Sequence, residues 1–336
     1  MLPQATSDLY DATRRRGAAT ALLVRSEWEK IDPAGDWWGQ WLRLLPRAAL
    51  IVGSSRVGAA TDGVASVPAA LEEFGSPSVP VKINPKAFAG WAGSGVPLVD
   101  YLSSPVRVAR DSPGSEVERL AAGRSWLEGL TRTAVSDAAR GGSSVAIAAT
   151  PRMGYTRYES APYCQRCAPL VGKWFRWNQG FQRHPRCDAV HVPAAQDSPP
   201  EKRYTTDIDA SMIRDLTEAQ RKAIEDGADL YQVINARRAE SRSANLMMTS
   251  EGTTRQGWAS YVKREVAKQR GEIAKETATS VGPRGFVDNY VVRRTAPRLT
   301  PEAIYRVSAT REEAVRLLAK NGYIVGPLED VARLAG

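Results

Sequence analysis

Cysteine and histidine are scarce in this chain: its 336 residues hold three of the first and two of the second. So few cysteines, odd in number, exclude the disulfide framework of a small secreted domain. Two histidines leave little room for imidazole chemistry, and no HExxH pair occurs, which excludes a zincin-type mechanism at the level of motif. No run of about 18 apolar residues is present, so no membrane-spanning helix is expected. The opening MLPQATSDLYDATRRRG has no apolar stretch behind its first charges, unlike a secretory signal, and a reducing cytoplasm is the expected setting. VGSSRVG (52–58) and GWAGSGVP (90–97) lack the lysine–hydroxyl pair of a phosphate loop. Their small residues read instead as places where helices approach closely.

The composition is that of a chain with a sizeable core, 43% hydrophobic and 25% charged, and its length suits two domains. The net charge of +9 favours acidic partners, nucleic acid first among them. Apolar periodicity predicts a helix over 6–31, capped by Thr6 or Ser7, and a second over DWWGQWLRLLPRAALIV. The glycine, serine and proline of 52–97 predict short helices broken by turns. Residues 113–140 carry a strong stripe through Leu120, Leu127, Leu130 and Val135, with Gly141-Gly142 as its stop. SSVAIAATPRMGYTRYES is β-branched and aromatic enough for one or two strands. Farther on, Thr217 and Thr310 read as helix caps, and Gly227 and Asn321-Gly322 as breaks.

The scarce residues converge. CQRCAPLVGKWFRWNQGFQRHPRC, from Cys164 to Cys187, holds all three cysteines and His184. Two close pairs, Cys164-x2-Cys167 and His184-x2-Cys187, flank a sixteen-residue loop, the layout of a tetrahedral zinc site. Thiolate and imidazole suit zinc, and a complete set of four protein ligands makes the ion structural. Arg166, Lys173, Arg176, Arg183 and Arg186 surround the cluster with no acid among them, a field that favours thiolates. Other readings stay open. The cysteines could be buried and unliganded, or Cys164 and Cys167 a redox pair, or the zinc catalytic with Asp188 or Glu159 as acid or base. His191 could replace His184 as ligand. The rings of Trp174, Phe175, Trp177 and Phe181 either roof the metal or stack on nucleic acid beside the arginines.

The fold expected is mainly α with a small zinc-clamped α+β module. It comprises a helical body (1–150), a strand-containing Cys/His module (151–194), a linker (195–209) and a helical, partly extended basic tail (210–336). Arg176, Arg183, Arg186, Lys263, Arg264, Arg293, Arg294 and Arg298 are the candidate nucleic-acid contacts, made to phosphates and so indifferent to base sequence. Paired Asp207 and Asp209 could hold magnesium, but read better as a helix start.

CxRCxxLxGK, FRWNQGFQRHPRCD and the following HVP resemble the carboxy-terminal signature of the phage Mu F-like head morphogenesis proteins, in the form found in tailed phages of actinobacteria. AQRKAIEDGADLYQVINARR, SEGTTRQG and LTPEAIYRVSATREEAVRLLAKNGYI resemble their tail region, and SDAAR and GYTRY fit the part before it. The resemblance implies a minor head (capsid) protein acting in procapsid assembly and in DNA packaging or ejection. Its partners would be the portal protein, the major capsid or scaffold protein and packaged double-stranded DNA, with no membrane. Its place would be the capsid interior of the virion, after the host cytoplasm during assembly. The metal-type positions carried over are Cys164, Cys167, His184 and Cys187, with structural zinc as cofactor. Relatives often read CDC where this chain has Cys187-Asp188-Ala189, so His184 must serve here or the site is degraded. Many relatives are labelled capsid maturation protease. A serine-type peptidase would need His191 as base and a serine nearby, Ser143 or Ser144 behind Gly141-Gly142 being the first choice; a Ser–Lys dyad stays open.

Overall fold

The computed structural model describes residues 1–79, 82–178, 187–236, 280–281, 287–288 and 299–324. It divides into two compact units, residues 1–160 with 170–207, and residues 161–169 with 208–336. Most of the described chain is helical, with small sheets. No helix among the described residues is long and apolar enough to cross a membrane.

The first unit is built on four helices, α1 (Gln4–Trp28), α2 (Trp37–Glu73), α3 (Leu98–Asp111) and α4 (Glu116–Ala149). Trp28 of α1 and Trp41 of α2 meet edge to face at 5.0 Å in the main core, beside Val52, Leu102, Val106 and Leu127. Each indole N–H reaches a carbonyl, Trp28 that of Leu120 and Trp41 that of Leu102. Of the aromatic opening of α2, Trp41 is wholly buried and Trp38 stands exposed.

Two expected breaks do not occur. α2 runs past Pro46, which lies within the predicted helix, and continues unbroken through Pro68 and the glycine–serine stretch after residue 52, where short helices were expected. A proline inside a helix costs about 3 kcal/mol, but each fully buried Leu or Val contributes about 1.5–3 kcal/mol. α2 buries Leu45, Val52, Val67 and Leu71 besides Trp41. α4 likewise passes through Gly141-Gly142 and ends at Ala149, so SSVAIAA is helical and not strand. These glycines do another job. A Cβ on Gly142 would strike the Ala60 carbonyl, and one on Gly63 the Ala139 carbonyl. α2 and α4 therefore touch backbone to backbone. The N-terminus of α4 follows local rules, with a capping box between Ser115 and Glu118. α1 begins after Pro3 with no side-chain cap, unlike the expected Thr6 or Ser7.

Against these helices lies a three-stranded antiparallel sheet of order β3-β1-β4 (β1 Met153–Tyr158, β3 Trp174–Arg176, β4 Val190–Ala195). Arg157 pairs with His191, and Tyr155 with both Phe175 and Pro193. Val190 packs with Leu9, Tyr10 and Ala59, and Met153 and Tyr155 with Val67, Leu71 and Ile147. The sheet thus shares its core with the helical body.

The second unit has short elements. β2 (Tyr163–Cys164) pairs in parallel with β5 (Ile213–Arg214). Helices α5 (Glu218–Glu225) and α6 (Leu230–Ile234) join two later ones, Pro301–Val307 and Arg311–Lys320, around Val233, Ile304, Val315, Leu318 and Tyr323. Thr217 and Thr310 cap two of them as expected, and Thr300 caps a third. Gly227 and Gly322 take positive φ at the breaks. Asp209 caps the turn Ala210–Met212, the helix-start role read for it. Ser280–Val281 and Val287–Asp288 form a two-stranded ladder.

Candidate metal centre and a serine–histidine cavity

Within one short stretch of chain, ligand atoms of Glu159, Cys164 and Cys167 all lie within 4.8 Å of one another. Glu159 and Cys167 are buried and Cys164 is half-buried. Cys164 ends β2, and the Cys167 amide donates to the Cys164 carbonyl at 2.9 Å, closing the tight turn that the CxxC spacing implies. Two sulfurs and a carboxylate oxygen are a donor set that zinc accepts. Glu159 was legible only as a nearby acid, because carboxylate ligands have no fixed spacing signature.

Cys187 lies outside that group and is buried. Its Sγ accepts a hydrogen bond from Nη2 of Arg157 at 3.2 Å, and the same nitrogen reaches Oε2 of Glu159 at 3.2 Å. Arg157 is itself 1% exposed, so the thiol and the carboxylate share one buried cation. His184 lies outside the described residues, as do Arg183, Arg186, Lys263, Arg264, Arg293, Arg294 and Arg298. Of the candidate nucleic-acid contacts Arg176 alone is described, exposed at the end of β3. Among the aromatics, Trp174 donates to the Ala194 carbonyl and Phe175 stacks on Tyr155, while Trp177 is exposed. Phe181 is outside the described residues.

Asp188 is engaged by its surroundings. It accepts from the Tyr10 hydroxyl at 3.2 Å and pairs with Arg14 at 3.3 Å. Burial pushes the Tyr10 phenol up to about 12, so it stays a donor.

The second histidine has its own site. Nδ1 of His191 lies 3.2 Å from Oγ of Ser144, and its ring stacks on Tyr155 with centroids 3.9 Å apart. Both line a cavity of about 340 Å³ in the first unit. Ser143 is wholly buried and gives its hydroxyl to the carbonyls of Gly63 and Ala139. Of the two serines named from sequence, Ser144 is the one that meets the imidazole. Arg56 shapes the same cavity: buried in its wall, it donates to the carbonyls of Phe88, Trp91 and Ala134, and burial lowers its pKa. Comparison with known proteins finds no matching family model, no similar curated protein and no similar solved structure.

Proposed function

We propose that this chain is a minor head protein of a tailed phage, acting in procapsid assembly beside the portal, with a structural zinc clamping its cysteine block. The observation that supports the reading is the grouping of Cys164 and Cys167, the cysteines that open the block carrying the resemblance, with the nearby Glu159. Cys187 or His184 would complete the set. A bound zinc would hold together a short segment that cannot bury a core of its own; apparent affinities of such sites correspond to about 10–16 kcal/mol. The helical body offers long rigid surfaces for portal or capsid protein, and the basic segments offer charge for packaged DNA, with contacts that weaken as salt rises. The protein would reside in the capsid interior.

The test is metal content of the purified chain, read beside co-assembly with portal and capsid protein. Near one zinc per chain is expected, falling below a tenth in Cys164→Ser and in Glu159→Ala. Wild-type protein without zinc, or one that stays apart from portal and capsid protein in co-expression, overturns the reading.

A further inference from the structure

Asp137, Arg140 and Ser144 follow one another along α4 at spacings of three and four residues, which places them on one face of the helix. That face lines the cavity that Tyr155 and His191 also line. Ser144 is half-buried, so its hydroxyl can be reached from the cavity. The 3.2 Å contact of its Oγ with Nδ1 of His191 is within reach for proton transfer when the imidazole carries its hydrogen on Nε2. The Tyr155 stack holds the ring in that orientation.

Arg140 supplies a second, independent feature. Its side chain is 1% exposed. Nη1 donates to the carbonyls of Cys187 (3.1 Å) and Ala189 (2.7 Å), and Nη2 to Asp137 (2.5 Å). Nε has no hydrogen-bond partner among the described residues. Leaving a charged donor buried and unused is costly, and a catalytic role or a bound ion is among the explanations for such a group. Here the guanidinium stands in the cavity wall one helical turn from Ser144 and is fixed by its other bonds. Fixed donors beside a nucleophile are what a developing oxyanion needs.

We infer that Ser144 and His191 are the nucleophile and general base of an acyl-transfer site, with Arg140 as the oxyanion donor. This goes beyond the head-protein reading and stands without it; the maturation peptidase weighed above would be one use of such a site. The substrate class is an ester or amide whose acyl part is apolar or aromatic, because Phe88, Trp91 and Trp177 add aromatic lining beside Tyr155, with Ala87 and Ala92 between the charged walls of Arg56 and Asp137. The Ser144 oxygen bonds to the carbonyl carbon while its proton passes to Nδ1 of His191. The bond from that carbon to the leaving oxygen or nitrogen then breaks, and the leaving group takes the proton from the imidazolium. Water repeats the sequence on the acyl-serine, which releases the acid and restores the hydroxyl.

The experiment treats the full chain with an alkyl fluorophosphonate, whose fluoride Ser144 would displace, and with the 4-nitrophenyl ester of phenylacetic acid. Intact-mass and peptide mapping should find one phosphonyl group per chain, on Ser144. Labelling and ester hydrolysis should fall at least 100-fold in Ser144→Ala and in His191→Gln, with unchanged circular dichroism. Should Ser144→Ala fail to fold, the labelled position on wild-type protein decides. A folded wild-type chain that takes no label, a label on another serine, or His191→Gln labelled at the wild-type rate overturns the site. Zinc content and portal co-assembly are read on the same preparation. Absent labelling with those intact rejects the acyl-transfer site alone, whereas labelling without them rejects the head-protein reading alone.

Discussion

The two units are held together by different means. In the first, helices of 25, 37 and 34 residues lie against one another along much of their length. Their contact is largely apolar, with a few polar ties such as Glu27 to Arg47, and at Gly63 and Gly142 it is backbone on backbone. In the second, the described helices have 5 to 10 residues, too short to be stable alone or to bury much. Side-chain caps fix most of their N-termini, and a buried carboxylate, Asp226, ties elements together by accepting from Tyr305 at 2.6 Å and Arg311 at 2.7 Å. Where merged surfaces are large, packing overrides local signals. Where they are small, individual polar contacts decide.

The sharpest way to break this comparison is to separate α2 from α4. Gly142→Val puts two methyl groups where the Ala60 backbone already stands, and neither helix can yield without losing the core on its other side. We expect a loss of about 3 kcal/mol, read by urea unfolding through the fluorescence of Trp28 and Trp41. A loss below about 1 kcal/mol would mean that the backbone contact is not what joins these helices.

The same contrast explains what could be read from sequence. In the second unit the cap residues and glycine stops worked as written, because little tertiary force opposes them. In the first they failed at Pro68 and Gly141-Gly142, because the burial that outweighs them comes from residues far along the chain. The sites divide likewise. Cys164 and Cys167 were legible from a spacing of three, a local property of one turn. Glu159 was not, since only the fold brings it beside the sulfurs. Ser144 and His191 are 47 positions apart and meet because β4 returns along α4; the scarcity of histidine alone hinted at the pair.

A second substitution measures how far the small unit depends on one polar clasp. Asp226→Ala leaves the Tyr305 hydroxyl and the Arg311 guanidinium without their shared acceptor. Burial and the Asp226 carboxylate hold the Tyr305 phenol above its ordinary value, so it remains a proton donor with nothing to donate to. Hydrogen bonds to charged groups contribute about 1.5–3 kcal/mol, and a loss of about 2 kcal/mol is expected. Hydrogen exchange should quicken about 30-fold in 218–234 and 301–320 and stay unchanged in α2 and α4. Equal quickening in both units would erase the distinction.

The smallest expected effect concerns a carboxylate of the first unit. Glu27 is 3% exposed, near the end of α1, and pairs with Lys30 at 2.6 Å and Arg47 at 2.9 Å. The hydrogen bond from Lys30 holds its pKa below the ordinary value, burial opposes this, and Arg47 adds to the lowering. The folded protein therefore binds this proton less readily than the unfolded chain does. Its contribution is complete above about pH 4.5 and is lost as the pH falls through the depressed value. Both cations are largely exposed, at 53% and 71%, so water and salt screen them and about 1 kcal/mol is the ceiling. Wild type should exceed Glu27→Gln in stability by up to that amount at pH 7, and the gap should close near pH 3, where the protonated acid resembles the amide. The comparison is sharpened if Asp226→Ala costs more than Glu27→Gln, although both remove a buried carboxylate. A gap at Glu27 that persists unchanged at pH 3 would place its origin in packing and not in charge.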